Sequence, residues 1–482
     1  MIPITDEARW LMTAGAVAAA RFHARGMPVD LPYCIKAQKQ LKEDMRRIEA
    51  DAWLTDEGKV WKTRHGSLAS LSDDNQIRDI LFNALHLEAP EGSHTKTGRQ
   101  SVARDTLNEL DHPLVDRILE YKKRDKVQNT FLASIIRETV DGKMHPFFHV
   151  CGGAKEDGEN TVRTYRTSSS DPNFQNMPIR DPEMGPIVRN AIRAPAGWCI
   201  VELDYSKIEV HANTWYHKDP TMIQYLVDDH DMHSDMAREC YMLSMDEYKG
   251  LKPKPKEARN IAKGLFVFAN FYGSYWYGVA PSLWKAMRQT KLVLHDGTPL
   301  EVHLSRKGIN ELGLPKRGED GRIESPRPGT FCRHIMEVEK RFWGVRFAGY
   351  DRWKKEWYAD YQKKGYFDTL AGFHHEGVFS RNEVISTPGQ GTGSHCKMRS
   401  IINVTEMVSK NHMRAYPNAE IHDSILGLAP ENEVDDYIAN ATIEMVDRVK
   451  AAWPWIITPI GVEAEVSPPG GTWYEKKPRK VV

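Results

Sequence analysis

The first 160 residues are written mostly in the helical period. Trp10–Phe22, WLMTAGAVAAARF, follows two acids and predicts a helix; Lys36–Ala52 is a long charged amphipathic pattern, and Asp74–Leu85 is a second. The pattern then changes. The apolar run Cys199–Leu203 is closed by Asp204 and followed by polar helical spacing, which predicts a strand leading into a helix, with further helices over 212–229 and 233–243. Arg259–Gly273, RNIAKGLFVFANFYG, reads as a helix. Lys291–Leu304 alternates as a hairpin around Asp296-Gly297, residues 316–329 are loop-like, and Cys332–Lys363 returns to helix. Ser386–Gly389 carries turn chemistry, and in Ala419–Ala429 two short β-prone runs flank His422-Asp423 as in a hairpin.

The length, 482 residues, allows two to four domains. Lys plus Arg and Asp plus Glu both number 66, so attraction to nucleic acid requires segregated charge. Segregation is present. Lys249, Lys252, Lys254, Lys256, Arg259 and Lys263 are opposed in their window only by Glu257, and Lys122, Lys123, Arg124 and Lys126 form a second cluster that reads equally as a solvated helix face. The six cysteines show no C-x-x-C pair, which argues against a zinc site or a disulfide framework and for a reducing interior. The apolar N-terminal run lacks the basic start of a signal peptide, and no stretch reaches membrane-spanning length.

Chemistry concentrates on three segments. Arg259 and Lys263, four apart, stack on one helical face and are followed by a second such pair, Phe268 and Tyr272. Two cations suit adjacent phosphates and the aromatics suit a flat base and its sugar, although an amphipathic helix that merely packs would look similar. Asp204 and Asp423, each at a strand end, complete a set of parts for two-metal phosphoryl transfer.

In this order and with these neighbours, the three segments resemble motifs A, B and C of the family A DNA polymerases, the DNA polymerase I family. Thr164–Arg180, TYRTSSSDPNFQNMPIR, is similar to that family's polar signature, and Asp231–His233, Gly365–Leu370, Gln390–Ser394 and Gly461–Val466 fall in family order. His94–Ser101 and Glu120–Phe131 are similar to thumb segments, so the resemblance runs from about residue 70 to the C-terminus. It implies an α+β right-hand polymerase fold: helical N-terminal region and thumb at 1–162, palm with motif A at 163–215, fingers at 216–385 with an insertion near 291–328, and palm with motif C at 386–482.

The resemblance also implies roles. Asp204, Asp423 and the Tyr205 carbonyl are the metal ligands for two Mg2+ ions, with Mn2+ an acceptable substitute, and Lys263 joins the two aspartates in catalysis. Arg259, Lys263, Phe268, Tyr272, His233, Glu209, Ser206 and Lys207 bind the nucleotide, Glu209 closing off the sugar 2′ position. Arg166, Asn173, Gln175, Gln390, His422 and Lys126 contact primer-template DNA. The partners are then primer-template DNA, dNTPs and a separate exonuclease or replication accessory protein, because the thumb-like segments start too early for an editing or 5′-nuclease domain. The setting is cytoplasmic, in a host cell if the chain is phage-encoded, as the FVF-x-x-FYG form of motif B suggests.

Two departures bear on this reading. In most of the family the motif B residues are spaced by four, whereas Lys263 to Phe268 is five, leaving the register open between Val267 with Phe271 and Phe268 with Tyr272. The second is preferred because it keeps the Tyr-Gly pair, the extra residue being absorbed as a π-bulge. Motif C reads His422-Asp423-Ser424, where DNA polymerases usually have Glu in the third place. The serine is shared with single-subunit RNA polymerases, one alternative; a DNA-binding relative without catalysis is another. Glu209 favours DNA synthesis over the first, and joint retention of Asp204, Asp423, Arg259 and Lys263 opposes the second.

Overall fold

Strand-forming sequence between Trp198 and Arg479 builds one five-stranded antiparallel sheet. The computed structural model describes residues 5–90, 93–95, 97–150, 163–178, 181–318 and 322–480. Lys96, Cys151, the Ile179-Arg180 end of the polar signature and residues 319–321 of the expected insertion lie outside the described residues.

In chain order, the elements that place the site are α1 (Asp6–Arg25), α2 (Leu31–Leu54), β1 (Trp198–Tyr205), α3 (Ile208–His217), α4 (Met232–Cys240), α5 (Pro255–Ala262), α6 (Arg381–Lys410), β2 (Tyr416–Ile421), β3 (Ser424–Pro430), β4 (Val462–Val466) and β5 (Lys477–Arg479). The sheet order is β5-β4-β1-β3-β2. β3 is buried along its whole length, whereas β1 alternates, burying Val201, Leu203 and Tyr205 and turning Glu202 and Asp204 to the other face.

The largest core surrounds this sheet and includes α1, whose buried Ala8, Leu11, Gly15, Ala18 and Phe22 recur at helical spacing. Thr5 caps the helix, acids occupy its first turn and bases its last, all favourable to the helix dipole. At Gly15 a Cβ would lie 2.4 Å from the Met398 sulfur, so α1 and α6 are closely packed there. The N-terminal region expected as thumb therefore divides: α1 and the first part of α2 join the sheet's core, and a separate helical core spans Ala52 to Ile118. A third core, from Val210 to Tyr350, contains α4, α5 and the segment after α5.

Two local expectations are corrected. Ser386–Gly389 is not a turn but lies inside α6, which a Ser380–Glu383 capping box starts and which continues through Pro388. Proline removes the N–H that would have bonded the Val384 carbonyl, and the Trp357 indole donates to that carbonyl instead, at 3.1 Å. The Lys291–Leu304 hairpin reduces to a turn at Asp296-Gly297 with single-residue bridges of Val293 to Lys252 and Pro299; Leu300–Arg306 is a helix. Its apolar residues Leu300 and Leu304, four apart, are buried against the third core, so packing outweighs the local alternation.

The polar signature is tied to the sheet by a buried ion pair. Lys397 of α6 lies 2.6 Å from Glu420 of β2, each side chain only 2% exposed, and Lys397 also donates to Thr167 at 3.0 Å. Lys397→Met should cost about 3–5 kcal/mol in denaturant unfolding because it strands the Glu420 charge; a loss below about 1 kcal/mol would contradict this account.

Candidate active site

Sheet pairing brings the two predicted acids together. Asp204 lies opposite Ser424 in the β1–β3 register, and Asp423 sits in the two-residue turn between β2 and β3, where the Tyr205 N–H donates to its carbonyl at 3.4 Å. His422 supplies the positive φ, 50°, of that tight turn. The depth of the cleft, then the carboxylates of Asp423, Glu202 and Glu463, push Asp204 up to about 7. Such crowding calls for a cation. The donors are hard oxygens suited to Mg2+, and among the described residues no group of three or more His, Cys, Asp or Glu side chains could hold a metal alone. Two carboxylates and a carbonyl fit an ion that completes its shell with substrate phosphates and water.

Arg166 joins the acids to a third one. Its guanidinium lies 3.4 Å from Glu209 and 4.0 Å from Asp423, and Glu209 accepts a short hydrogen bond from the Tyr272 hydroxyl. Burial raises the Glu209 pKa against the opposing effect of that bond. Gln390 of α6 adjoins the Tyr272 hydroxyl and opposes the rise that burial and Glu209 give its pKa.

The helix carrying Arg259 and Lys263 contains the expected irregularity: after α5 the backbone is π-helical over Lys263–Phe268. A five-residue interval thereby spans one turn. Lys263 Nζ lies 5.5 Å from the Phe268 ring centroid, and Phe268 is stacked on Tyr272 at 6.0 Å and 7°. Val267 and Phe271, the other register, are fully buried in the third core. Gly273 adopts φ +88°, and a Cβ there would meet Asn382 Oδ1 at 2.5 Å, so the residue after Tyr272 must be glycine.

Arg259 is not free. It donates to Asp231 at 2.8 and 3.1 Å. Burial pushes Asp231 up, but hydrogen bonds from Arg259 and Ser234 prevail and hold it at about 2. His233, buried beside Phe268 at 5.8 Å, is pushed down to about 4 by burial and by Arg259 and Lys263, so it is neutral at pH 7. Lys207 pairs with Asp229 at 2.5 Å, and Ser206 donates to Glu463 at 2.9 Å.

The residues expected on the DNA side separate. Gln175 donates to Thr167 and Glu420 at 3.1 and 3.2 Å, and Asn173 accepts from Ser169 at 3.2 Å, so both brace the polar loop from within. His422 is exposed beside Asp423. The second basic cluster is largely paired: Lys122 with Asp74, Lys123 with Asp181 and Glu183, and Arg124 with Glu120 and Glu183, while Lys126 is exposed at the start of the π-helical turn Lys126–Leu132.

Comparison with known proteins gives the family of the chain. The profile of DNA polymerase family A matches residues 32–295, more than half of the chain. The chain belongs to DNA polymerase family A. This family A member is 31% identical to the thermostable DNA polymerase I of Thermus thermophilus over 475 residues, covering 95% of the chain and 47% of that relative. It is 23% identical to DNA polymerase I of Bacillus subtilis over 416 residues, 86% of the chain and 40% of the relative. The chain thus spans about half the length of these relatives. The POL domain of Pol1 from M. smegmatis, solved in complex with DNA primer-template and dNTP, superposes with a TM-score of 0.69 at 20% identity, covering 96% of this chain and 70% of that one. The fold is the α+β right-hand polymerase fold, with helical thumb, antiparallel-sheet palm and helical fingers.

Sequence reasoning missed Asp231 as the partner of Arg259, and Glu202 with Lys476 beneath Asp204. The first had a signal, since Asp231 opens a helix one residue before the apolar Met232. The family A register makes a stability prediction. Val267→Tyr should destabilise by about 1–3 kcal/mol through overpacking, whereas Phe268→Tyr, half-buried toward the site, should change unfolding by less than about 1 kcal/mol. Equal effects in urea unfolding would mean that the π-turn is misplaced.

Proposed function

We propose that the chain catalyses template-directed addition of dNMP from dNTP to a primer 3′-hydroxyl. The observation that carries this reading is the chain of contacts Asp423–Arg166–Glu209–Tyr272, which joins the acid turn, the polar signature, the helix after β1 and the aromatic end of the motif B helix into one site.

Asp204, Asp423 and the Tyr205 carbonyl would hold two Mg2+ ions. Those ions, when bound, lower the pKa of the primer hydroxyl and neutralise the triphosphate. Lys263 meets charge that develops on the leaving pyrophosphate and is placed to donate a proton to it; Arg259, released from Asp231 or shared with it, grips the phosphates. Neutral His233 offers a hydrogen bond beside them. Phe268 and Tyr272 give the base and sugar a stacked aromatic wall, and Glu209, pinned by Tyr272, occupies the space a 2′-hydroxyl would need. Arg166 and Gln390 adjoin the same cluster from the side expected to receive the primer-template, and exposed Lys126 contributes sequence-independent attraction for the DNA backbone. Closure of the fingers around a fitting base pair would complete the site. The phage setting rests on the form of motif B.

Primer extension with Mg2+ tests the reading. Wild type should incorporate dNTPs and discriminate against rNTPs; incorporation of rNTPs in preference would favour the RNA polymerase alternative, and no incorporation of either the non-catalytic one. Asp204→Asn and Asp423→Asn should each abolish extension while primer-template binding persists, and activity within about tenfold of wild type would overturn the two-metal assignment. In the family resembled, the aromatic four residues before the motif B tyrosine governs acceptance of dideoxynucleotides. Wild type, with Phe268 there, should therefore reject them and Phe268→Tyr should admit them; a gain confined to Val267→Tyr would contradict the register.

A further inference from the structure

A second charged group lies beneath the acid centre. Glu202 is two residues before Asp204 on the same face of β1 and only 14% exposed. Three donors from two separate segments converge on it: the Ser424 hydroxyl at 3.1 Å, and, from the C-terminal segment, the Trp473 indole at 2.8 Å and Lys476, with which it forms a close ion pair. Lys476, 3% exposed, also pairs with Glu465 of β4 at 2.9 Å, and Arg189 covers the Trp473 ring at 4.1 Å. The Ser424 hydroxyl shares its one proton between Glu202 and the Ile421 carbonyl, 3.0 Å away, so Glu202 reaches the turn that carries Asp423.

We propose that Glu202 is a positioning residue that fixes Asp204 relative to Asp423, supplying from β1 the carboxylate that the third place of motif C does not carry. The inference rests on the polymerase reading and deepens it. A buried ion pair is a poor way merely to hold strands together, since apolar residues of similar volume do so as well or better. This one is placed where it has a directional use. Glu202 is bonded along the backbone to Asp204 and through Ser424 to the Asp423 turn, so one side chain references both acids. Its charge is met by Lys476 from behind, leaving Asp204 and Asp423 in front as the acids open to a cation. Ser424 touches Glu202 directly, which means that a longer side chain at 424 would enter the same space.

The test exchanges the two residues. Glu202→Ser should fold at a lower melting temperature, because Lys476 loses one partner but keeps Glu465, and below that melting temperature should lower the single-turnover extension rate at saturating dNTP at least tenfold with primer-template Kd little changed. Adding Ser424→Glu to Glu202→Ser should bring the rate back to within about threefold of wild type. A Glu202→Ser rate within twofold of wild type overturns the proposal. So does a double variant that stays as slow as the single one, or that fails to fold, since the relocated carboxylate should meet the same donors. Should Glu202→Ser alone not fold, the double variant decides by the same criteria. Absence of extension by the wild type would instead defeat the polymerase reading, which keeps the two failures apart.

Discussion

Like charges held close in a cleft are the constraint on which the site depends. Asp204 and Asp423 come from strands more than two hundred residues apart, and antiparallel pairing of β1 with β3 fixes them side by side. Burial in the cleft, and after it the repulsion from Asp423, raises the pKa of Asp204. The sheet sustains the repulsion because β1 is central, because β3 beside it is fully buried, and because the charges just behind the pair are neutralised internally by Lys476. The result is a site with its negative charge placed in advance, which needs little rearrangement to receive cations and phosphates.

Opposite the acids, backbone geometry solves a different problem. One extra residue in an α-helix rotates everything after it by about 100°. The π-turn over Lys263–Phe268 absorbs that rotation, so Phe268 and Tyr272 return to the face of Lys263 while Val267 and Phe271 enter the core. Tyr272 then reaches Glu209, and through Arg166 the helix is coupled to the Asp423 turn. A motion of this helix would be transmitted to the acid centre by that chain of contacts.

Much of this was legible in the residues. An apolar run marked β1, two β-prone runs marked the β2–β3 hairpin, and the five-residue spacing in motif B marked the π-turn, because each is a local pattern with a local cause. The failures share a cause as well. Ser386-Thr387-Pro388-Gly389 carries turn residues, yet an indole from a distant helix satisfies the carbonyl that proline frees, and the helix continues. Leu300 and Leu304 alternate like a strand but are drawn into a helix by a core assembled from elsewhere. The partners of Glu202, Lys122 and Lys123 are ion pairs between segments far apart in sequence, and nothing in either segment announces the other.

In the proposed mechanism metal ions sit between Asp204 and Asp423 when substrate is present. Fe2+ substituted for Mg2+, with primer-template, dNTP, ascorbate and peroxide, cleaves the backbone next to bound metal. Cuts are expected beside Asp204 and Asp423, suppressed by excess Mg2+ and lost in Asp204→Asn and Asp423→Asn. Cuts confined to other segments, or unchanged in both variants, would contradict that mechanism.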